Sequence, residues 1–438
     1  MSHQDEVEQK AWVVTVDMGL GHQRAVYPFS SIAEEGILGV GLEPEEAKLW
    51  RNLHRGYEFV SRIRNVPVMG HALFGIVDAF QNIPPFYPIR NMSNPSYQVR
   101  LINRLVEKGL GAGVVSKIQT KPLPLLTSYP VPAIAADKAG YPLIYCIVCD
   151  AEISRAWAPT DPSVSRIVYL APCGRAVMRL RSYGVPDERI FLTGFPFPEE
   201  VTGGPKLERL KADVGRRLLT LDPDNRFFPL HERNVTHFLD RSNCRKAKSG
   251  PFSITFAVGG AGAQTDIAAT VVESLRELIK TGKIHLHLVA GIRKEVDDYF
   301  RRVVNDVLPG CPGVSILYRE TKPDYFHEFS KLMRTTDILW TKPSELSFFA
   351  GLGIPIIIAP TIGSQEEYNK RWLLEIQAGI PQQDPRYAHQ WLVDLLRAGR
   401  LAEAAWDGFL KARKYGTYKI KEVLETGTMS RETSPLKR

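Results

Sequence analysis

Residues 341–369, TKPSELSFFAGLGIPIIIAPTIGSQEEYN, constrain the fold more than any other stretch of the chain. Their spacing predicts a helix, a tight glycine turn, a buried strand and a polar loop in succession. Ser344 stands at the N-cap position, where its hydroxyl oxygen can accept an orphan backbone N–H. Glu345 falls in the first turn, and Leu346, Phe349 and Ala350 supply an apolar face. Gly351 and Gly353 are expected to stop the helix. Residues 354–359 are continuously apolar and largely β-branched, as suits a parallel strand buried on both faces. The polar loop 363–367 then lies at that strand's carboxyl end, where open α/β sheets bind ligands.

The rest of the chain alternates in the same way, twice over. Residues 12–16 read as a strand running into the turn Asp17-Met18-Gly19-Leu20-Gly21-His22, then a helix. From residue 113 the alternation resumes, with strands at 125–129, 142–149, 166–170 and 189–192 and helices at 132–139 and 173–183. A charged stretch interrupts it up to Gly250. A second unit starts with a strand at 252–258, the glycine turn 259–264 and an amphipathic helix at 265–280. Strands at 284–290, 314–317 and 338–340 follow, and helices are expected at 372–378, 388–397 and 401–423. Right-handed crossovers force such units into open parallel sheets. The expected class is α/β, with two Rossmann-like domains facing across a cleft. The domains are residues 1–200 and 251–400, joined by a connection with an insertion at 201–250. A C-terminal helix at 401–425 can cross back to the first domain, and 426–438 reads as a disordered tail.

The 438 residues suffice for two domains, and 44% hydrophobic content permits sizeable cores. The net charge of +8 is spread along the chain and suits anionic partners such as nucleotides or an acidic membrane surface. No basic-aromatic cluster or zinc spacing argues for nucleic acid. Five cysteines do not make a disulfide framework. Cys146 and Cys149 have C-x-x-C spacing but lie on a strand rather than at a helix N-terminus, so they read as buried thiols. The polar N-terminus and the lack of a long apolar window predict a soluble, cytoplasmic protein, with peripheral membrane contact left open.

Both glycine turns bring backbone N–H groups to a helix end, a ready anion site. Their spacing is not G-x-G-x-x-G, which leaves a dinucleotide reading weak. His22 projects from the first turn and is either a structural residue or a general base, given its near-neutral pKa. Asp150 and Glu152 follow the strand at 142–149; each is functional, or else caps a helix or pairs with Arg155.

Four places resemble the GT-B glycosyltransferases, in the branch holding monogalactosyldiacylglycerol synthase and the peptidoglycan GlcNAc transferase that makes lipid II. They are the turn 17–22, the strand 142–157 with 189–196, the glycine turn 259–263, and residues 342–369. The resemblance implies an inverting, metal-independent transfer of a sugar from a nucleotide, UDP-linked in this branch, to an acceptor hydroxyl. It needs no cofactor beyond the nucleotide sugar. Fixed N–H dipoles of Gly19, Gly21, Gly259, Gly260, Ala261 and Gly262, and the helix end at Ser344, would hold the phosphates. Lys342 or Arg293 could add a cation. Glu345 matches a ribose-binding glutamate, whose two oxygens suit a vicinal diol. Gln365 and Glu366 would hold sugar hydroxyls, and Asn369 either joins them or caps a helix. His22 is the expected base, with Asp150 the alternative or the group orienting it. Met18 and Leu20 depart from the family pattern, as does Gln365-Glu366 where many members have Asp-Gln.

Two other readings keep the fold. One is a nucleotide-sugar epimerase or hydrolase, with Asp150 and Glu152 as extra carboxylates. The other is a non-catalytic nucleotide-sugar-binding protein. The acceptor, whether lipid, glycan or small molecule, is not specified by the sequence.

Overall fold

The computed structural model describes residues 9–51, 83–244, 250–257, 264–361 and 363–438. The chain forms two compact units, Met1–Pro196 with Gly416–Arg431, and Phe197–Tyr415 with Glu432–Arg438.

The first unit carries a five-stranded parallel sheet in the order β1-β2-β3-β4-β5. Its strands are Trp12–Val14, Leu125–Thr127, Ile144–Ile147, Ile167–Leu170 and Ile190–Phe191. β1 to β4 are apolar and almost wholly buried, which is why they read from the sequence as continuous hydrophobic runs. On the edge of β1 away from β2, Ala11 and Val14 bridge in parallel to Ala33 and Leu38. The chain thus leaves β1 toward one edge and returns to β2 on the other, so the direction of winding reverses at β1.

The second unit carries a six-stranded parallel sheet in the order β11-β10-β9-β6-β7-β8. The strands are β6 Phe252–Ala257, β7 Ile284–Gly291, β8 Val314–Tyr318, β9 Ile338–Thr341, β10 Ile356–Ile358 and β11 Gly379–Pro381. Winding reverses between β6 and β9. Helices Thr265–Lys280, Lys294–Val307 and Lys322–Thr335 connect the first four of these strands. The short edge strand β11 has no hydrophobic run and escapes a reading of pattern alone. Two α/β sheets of Rossmann-like topology are therefore present, as the alternation of strands and helices predicts.

Several local expectations are corrected. The segment after Ser344 is a 3-10 helix, Glu345–Leu352, that passes through Gly351 and ends only at Gly353, in the left-handed region at φ 66°. The loop expected at 363–367 is the first turn of the helix Ser364–Glu375, which begins eight residues before the helix expected there. The single helix expected at 401–423 is two, Arg400–Lys411 and Gly416–Thr426. The stretch 201–250 is not a free connection: its helices Glu208–Thr220 and Phe228–Leu239 belong to the second unit. Arg217, fully buried, donates to the carbonyls of Thr336 at 2.7 Å, Leu352 at 2.8 Å and Met333 at 3.2 Å. The tail is ordered rather than disordered. Lys414 and Tyr415 donate backbone N–H to the Arg438 carbonyl at 2.7 and 2.8 Å, and Arg413 pairs with Glu432.

Candidate functional site

In the second unit, Lys342, Ser344, Glu345 and Glu366 lie near the point where the winding reverses. Ala257 ends β6 and pairs in register with Thr341, which ends β9. The Thr341 hydroxyl also donates to the Ala257 carbonyl at 3.0 Å. The two strands therefore release their loops from one point, the place where open α/β sheets bind ligands. From β9 the chain passes through Lys342 to Ser344, whose hydroxyl accepts the Leu346 N–H at 3.4 Å as the N-cap of the 3-10 helix. Glu345 is half-buried in its first turn.

From β6 the chain enters residues 258–263, so Gly259, Gly260, Ala261 and Gly262 lie outside the described residues. It re-emerges at Gln264, in the left-handed region at φ 76°. The Gln264 side-chain amide donates to the Pro360 carbonyl at 2.6 Å, just past β10. Ala257 thus lies beside β9, and Gln264 beside the segment that follows β10.

Lys342 and Glu366 meet. The ammonium lies 2.5 Å from the carboxylate, with the two side chains 16% and 13% exposed. A cation expected at a phosphate and a carboxylate expected at a sugar are thus joined in one ion pair. Asn369 is fully buried, and its amide donates to the Pro343 carbonyl at 3.2 Å. That bond braces the Lys342–Ser344 turn against the helix Ser364–Glu375. Gln365 is half-buried in that helix's first turn. Arg293, after β7, stands at the N-cap position of the helix Lys294–Val307 without a side-chain capping bond and pairs with Glu295 at 3.2 Å.

In the first unit, Gly19 adopts φ 98°, a conformation that favours glycine, with open space where a side chain would stand. Gly21 and His22 follow inside the short helix Leu20–Val26, at the carboxyl end of β1. The Nδ1 of His22 lies 2.7 Å from the Ser128 carbonyl and 3.3 Å from the Cys149 thiol. Tyr129 meets the imidazole edge-on at 5.0 Å, and Trp157 lies 6.2 Å away. Ser128 and Cys149 follow β2 and β3, so three adjacent strand ends converge on this ring. Asp150, half-buried, is the next residue after Cys149.

Glu152 is a correction. It is 1% exposed, and its carboxylate is held by Arg175 at 2.6 Å and by Arg179. Arg155 instead donates to the carbonyls of Ser93 at 2.7 Å, Ala158 at 2.8 Å and Pro159 at 2.9 Å. The Cys146 thiol sits inside β3, where burial pushes its pKa well up, as expected of an inert buried cysteine.

Sequence reasoning missed Ser128, Cys149 and Glu46. The first two carry a usable signal, since each follows a strand's carboxyl end within two residues. Glu46 gives none. Its buried carboxylate accepts from Trp50 Nε1 at 2.8 Å and from the backbone N–H groups of Gly111 at 3.1 Å and Gly113 at 3.0 Å. Trp50 in turn lies 6.2 Å from the Tyr129 ring that walls His22. Two hollows of about 350 and 640 Å³ lie elsewhere in the second unit, near Phe227 and Trp406 and near Ser274 and Arg386, and none of the expected site residues lines them. Among the described residues no helix is long and apolar enough to cross a membrane.

A family model described as "Domain of unknown function (DUF6938)" matches residues 232–311. No curated protein matches the sequence. Solved structures that resemble the chain include a MnaA–UDP co-structure from S. aureus, at 12% identity and TM-score 0.49, covering 95% of this chain and 96% of that one. A UDP-GlcNAc 2-epimerase from Neisseria meningitidis bound to UDP-GlcNAc aligns at 11% identity and TM-score 0.46, covering 95% and 98%. MurG from Acinetobacter baumannii aligns at 12% identity and TM-score 0.48, covering 94% and 98%. With TM-scores below 0.5, these likenesses carry no argument about this chain's activity.

Proposed function

We propose that the chain is a nucleotide-sugar-dependent glycosyltransferase, with a donor site in its second unit and His22 of its first unit as the candidate base. The observation that carries this reading is the pairing of Ala257 with Thr341. It puts the last residue of β6 beside the last residue of β9, from which the chain runs to the Ser344-capped helix with Glu345 in its first turn. Backbone N–H groups there would stabilise a leaving diphosphate. The paired oxygens of Glu345 would accept from the two ribose hydroxyls. A UDP-sugar is the first donor to test.

The arrangement around His22 supports the second half of the reading. A carbonyl only accepts, so the bond to Ser128 places the imidazole proton on Nδ1 and makes Nε2 the basic nitrogen. That tautomer is the one needed to take a proton from an acceptor hydroxyl. An epimerase or hydrolase with extra cleft carboxylates would lose Glu152, which two arginines occupy.

UDP or a UDP-sugar should raise the melting temperature, in EDTA as well as with added magnesium. Absence of a shift with every nucleoside diphosphate and nucleotide sugar tried would overturn the donor-site assignment. Binding with no transfer across lipid, glycan and small-molecule acceptors would favour a non-catalytic binding protein.

A further inference from the structure

We propose that the Lys342–Glu366 pair is a latch that couples recognition of the diphosphate to recognition of the sugar; this rests on the donor-site reading above. The two residues come from different elements. Lys342 directly follows β9, and Glu366 lies in the first turn of the helix Ser364–Glu375. Their 2.5 Å contact ties the turn before Ser344 to the helix that carries Gln365. The buried bond from Asn369 to the Pro343 carbonyl ties the same two elements a turn further on. The backbone at this junction is therefore held by Asn369, and the ion pair can open without the two elements separating.

Charge balance decides what the pair does. As it stands it is nearly neutral, and its low exposure leaves little water to screen it. An arriving diphosphate carries at least two negative charges and competes with Glu366 for the Lys342 ammonium. An ammonium has three N–H donors on a rotatable stem, so it can turn from one anion to the other. Once released, the Glu366 carboxylate is not stranded, because a helix N-terminus favours negative charge. Released from the ammonium, it can accept from sugar hydroxyls. Diphosphate binding thus arms the sugar-recognition carboxylate, and a sugar without its diphosphate meets a carboxylate still engaged by Lys342.

Titration calorimetry with UDP and with a panel of UDP-sugars tests the latch on the full chain. Glu366→Gln keeps the shape but removes the competing charge, so it should bind UDP about tenfold tighter than the parent protein. The same variant should lose the extra affinity that a sugar gives over UDP alone. In a Lys342→Met background, Glu366→Gln should leave UDP affinity unchanged to within about twofold, since the tightening acts through the ammonium. Should Glu366→Gln fail to fold, Glu366→Asp, which draws the carboxylate back by one methylene, should shift UDP affinity in the same direction. UDP binding by Glu366→Gln that is no tighter than the parent's overturns the latch and leaves the donor site standing. Equal tightening with and without Lys342 overturns it as well. A parent protein that binds no nucleoside diphosphate overturns the donor site and the latch together.

Discussion

The Nδ1 of His22 lies 2.7 Å from the carbonyl oxygen of Ser128, a residue 106 positions away in the chain. The bond fixes the ring's tautomer and its orientation at the end of β1. Replacing His22 with alanine should lower turnover by about 10²- to 10⁴-fold, the usual worth of a positioned general base. With the donor held in the second unit as proposed, UDP affinity should change little. Steady-state rates beside calorimetry separate the two effects, and full activity in the variant would shift the role of base to Asp150.

Glu46 holds the wall of this site from behind. Glu46→Gln replaces one accepting oxygen with a donor that faces Trp50 or glycine N–H groups. The expected cost is about 1–3 kcal/mol in urea unfolding. Gly113→Ala should be at least as harmful, since its new methyl would stand 2.6 Å from Glu46 Oε2. Both variants should also loosen Trp50 and Tyr129, which intrinsic fluorescence would report.

Arg217 organises the second unit around the base of β9 and the end of the 3-10 helix. Burial lowers its pKa to about 10, so it stays charged at neutral pH while serving the carbonyls of Thr336, Leu352 and Met333. Arg217→Met leaves those acceptors without their donor and should cost about 3 kcal/mol or more. Arg217→Lys should recover only part of that, because an ammonium lacks the planar fork that reaches all three. Chemical denaturation of the three proteins checks the order.

Lys414 makes stability depend on alkaline pH. Its ammonium is 1% exposed and donates to the Pro435 carbonyl at 2.8 Å, and burial, with Arg438 and Arg413 nearby, lowers its pKa to about 7. The unfolded chain keeps this proton up to the ordinary lysine range, while the folded protein gives it up above about pH 7. Between those limits the unfolded state binds more protons, so folding stability rises with pH. The rise should amount to a few kcal/mol between pH 7 and 10. Denaturation at pH 6.5, 8 and 9.5 should show a smaller slope for Lys414→Met than for the parent.

Much of the fold is legible in the chain because it is written locally. Strands β1 to β4, β9 and β10 are short, largely apolar runs that lie almost wholly buried, and burial on both faces is what produces such runs. Glycine-rich stretches follow β1 and β6 in the sequence, as suits a strand that must release its chain into a helix within a few residues. β11 was not legible, since Gly379-Ile380-Pro381 has no strand pattern and pairs only because β10 lies beside it. The loop expected at Gly363 to Glu367 failed for a related reason. Its polar residues are the first turn of an amphipathic helix whose buried positions, Tyr368, Asn369, Trp372 and Leu373, come later.

The sequence by itself determined the α/β class, the two sheets, and the positions of His22 and Glu345 at strand ends. These follow from hydrophobic period and from the short-range chemistry of caps and turns. Only the tertiary structure decided what each polar group does. It gave Glu152 to Arg175 and Arg179, Glu366 to Lys342, Asn369 to the Pro343 carbonyl and Nδ1 of His22 to Ser128. The partners in these contacts lie 23 to 106 residues apart. A charged or polar side chain is satisfied by whichever partner packing brings within about 3 Å. Local pattern carries no record of that distance.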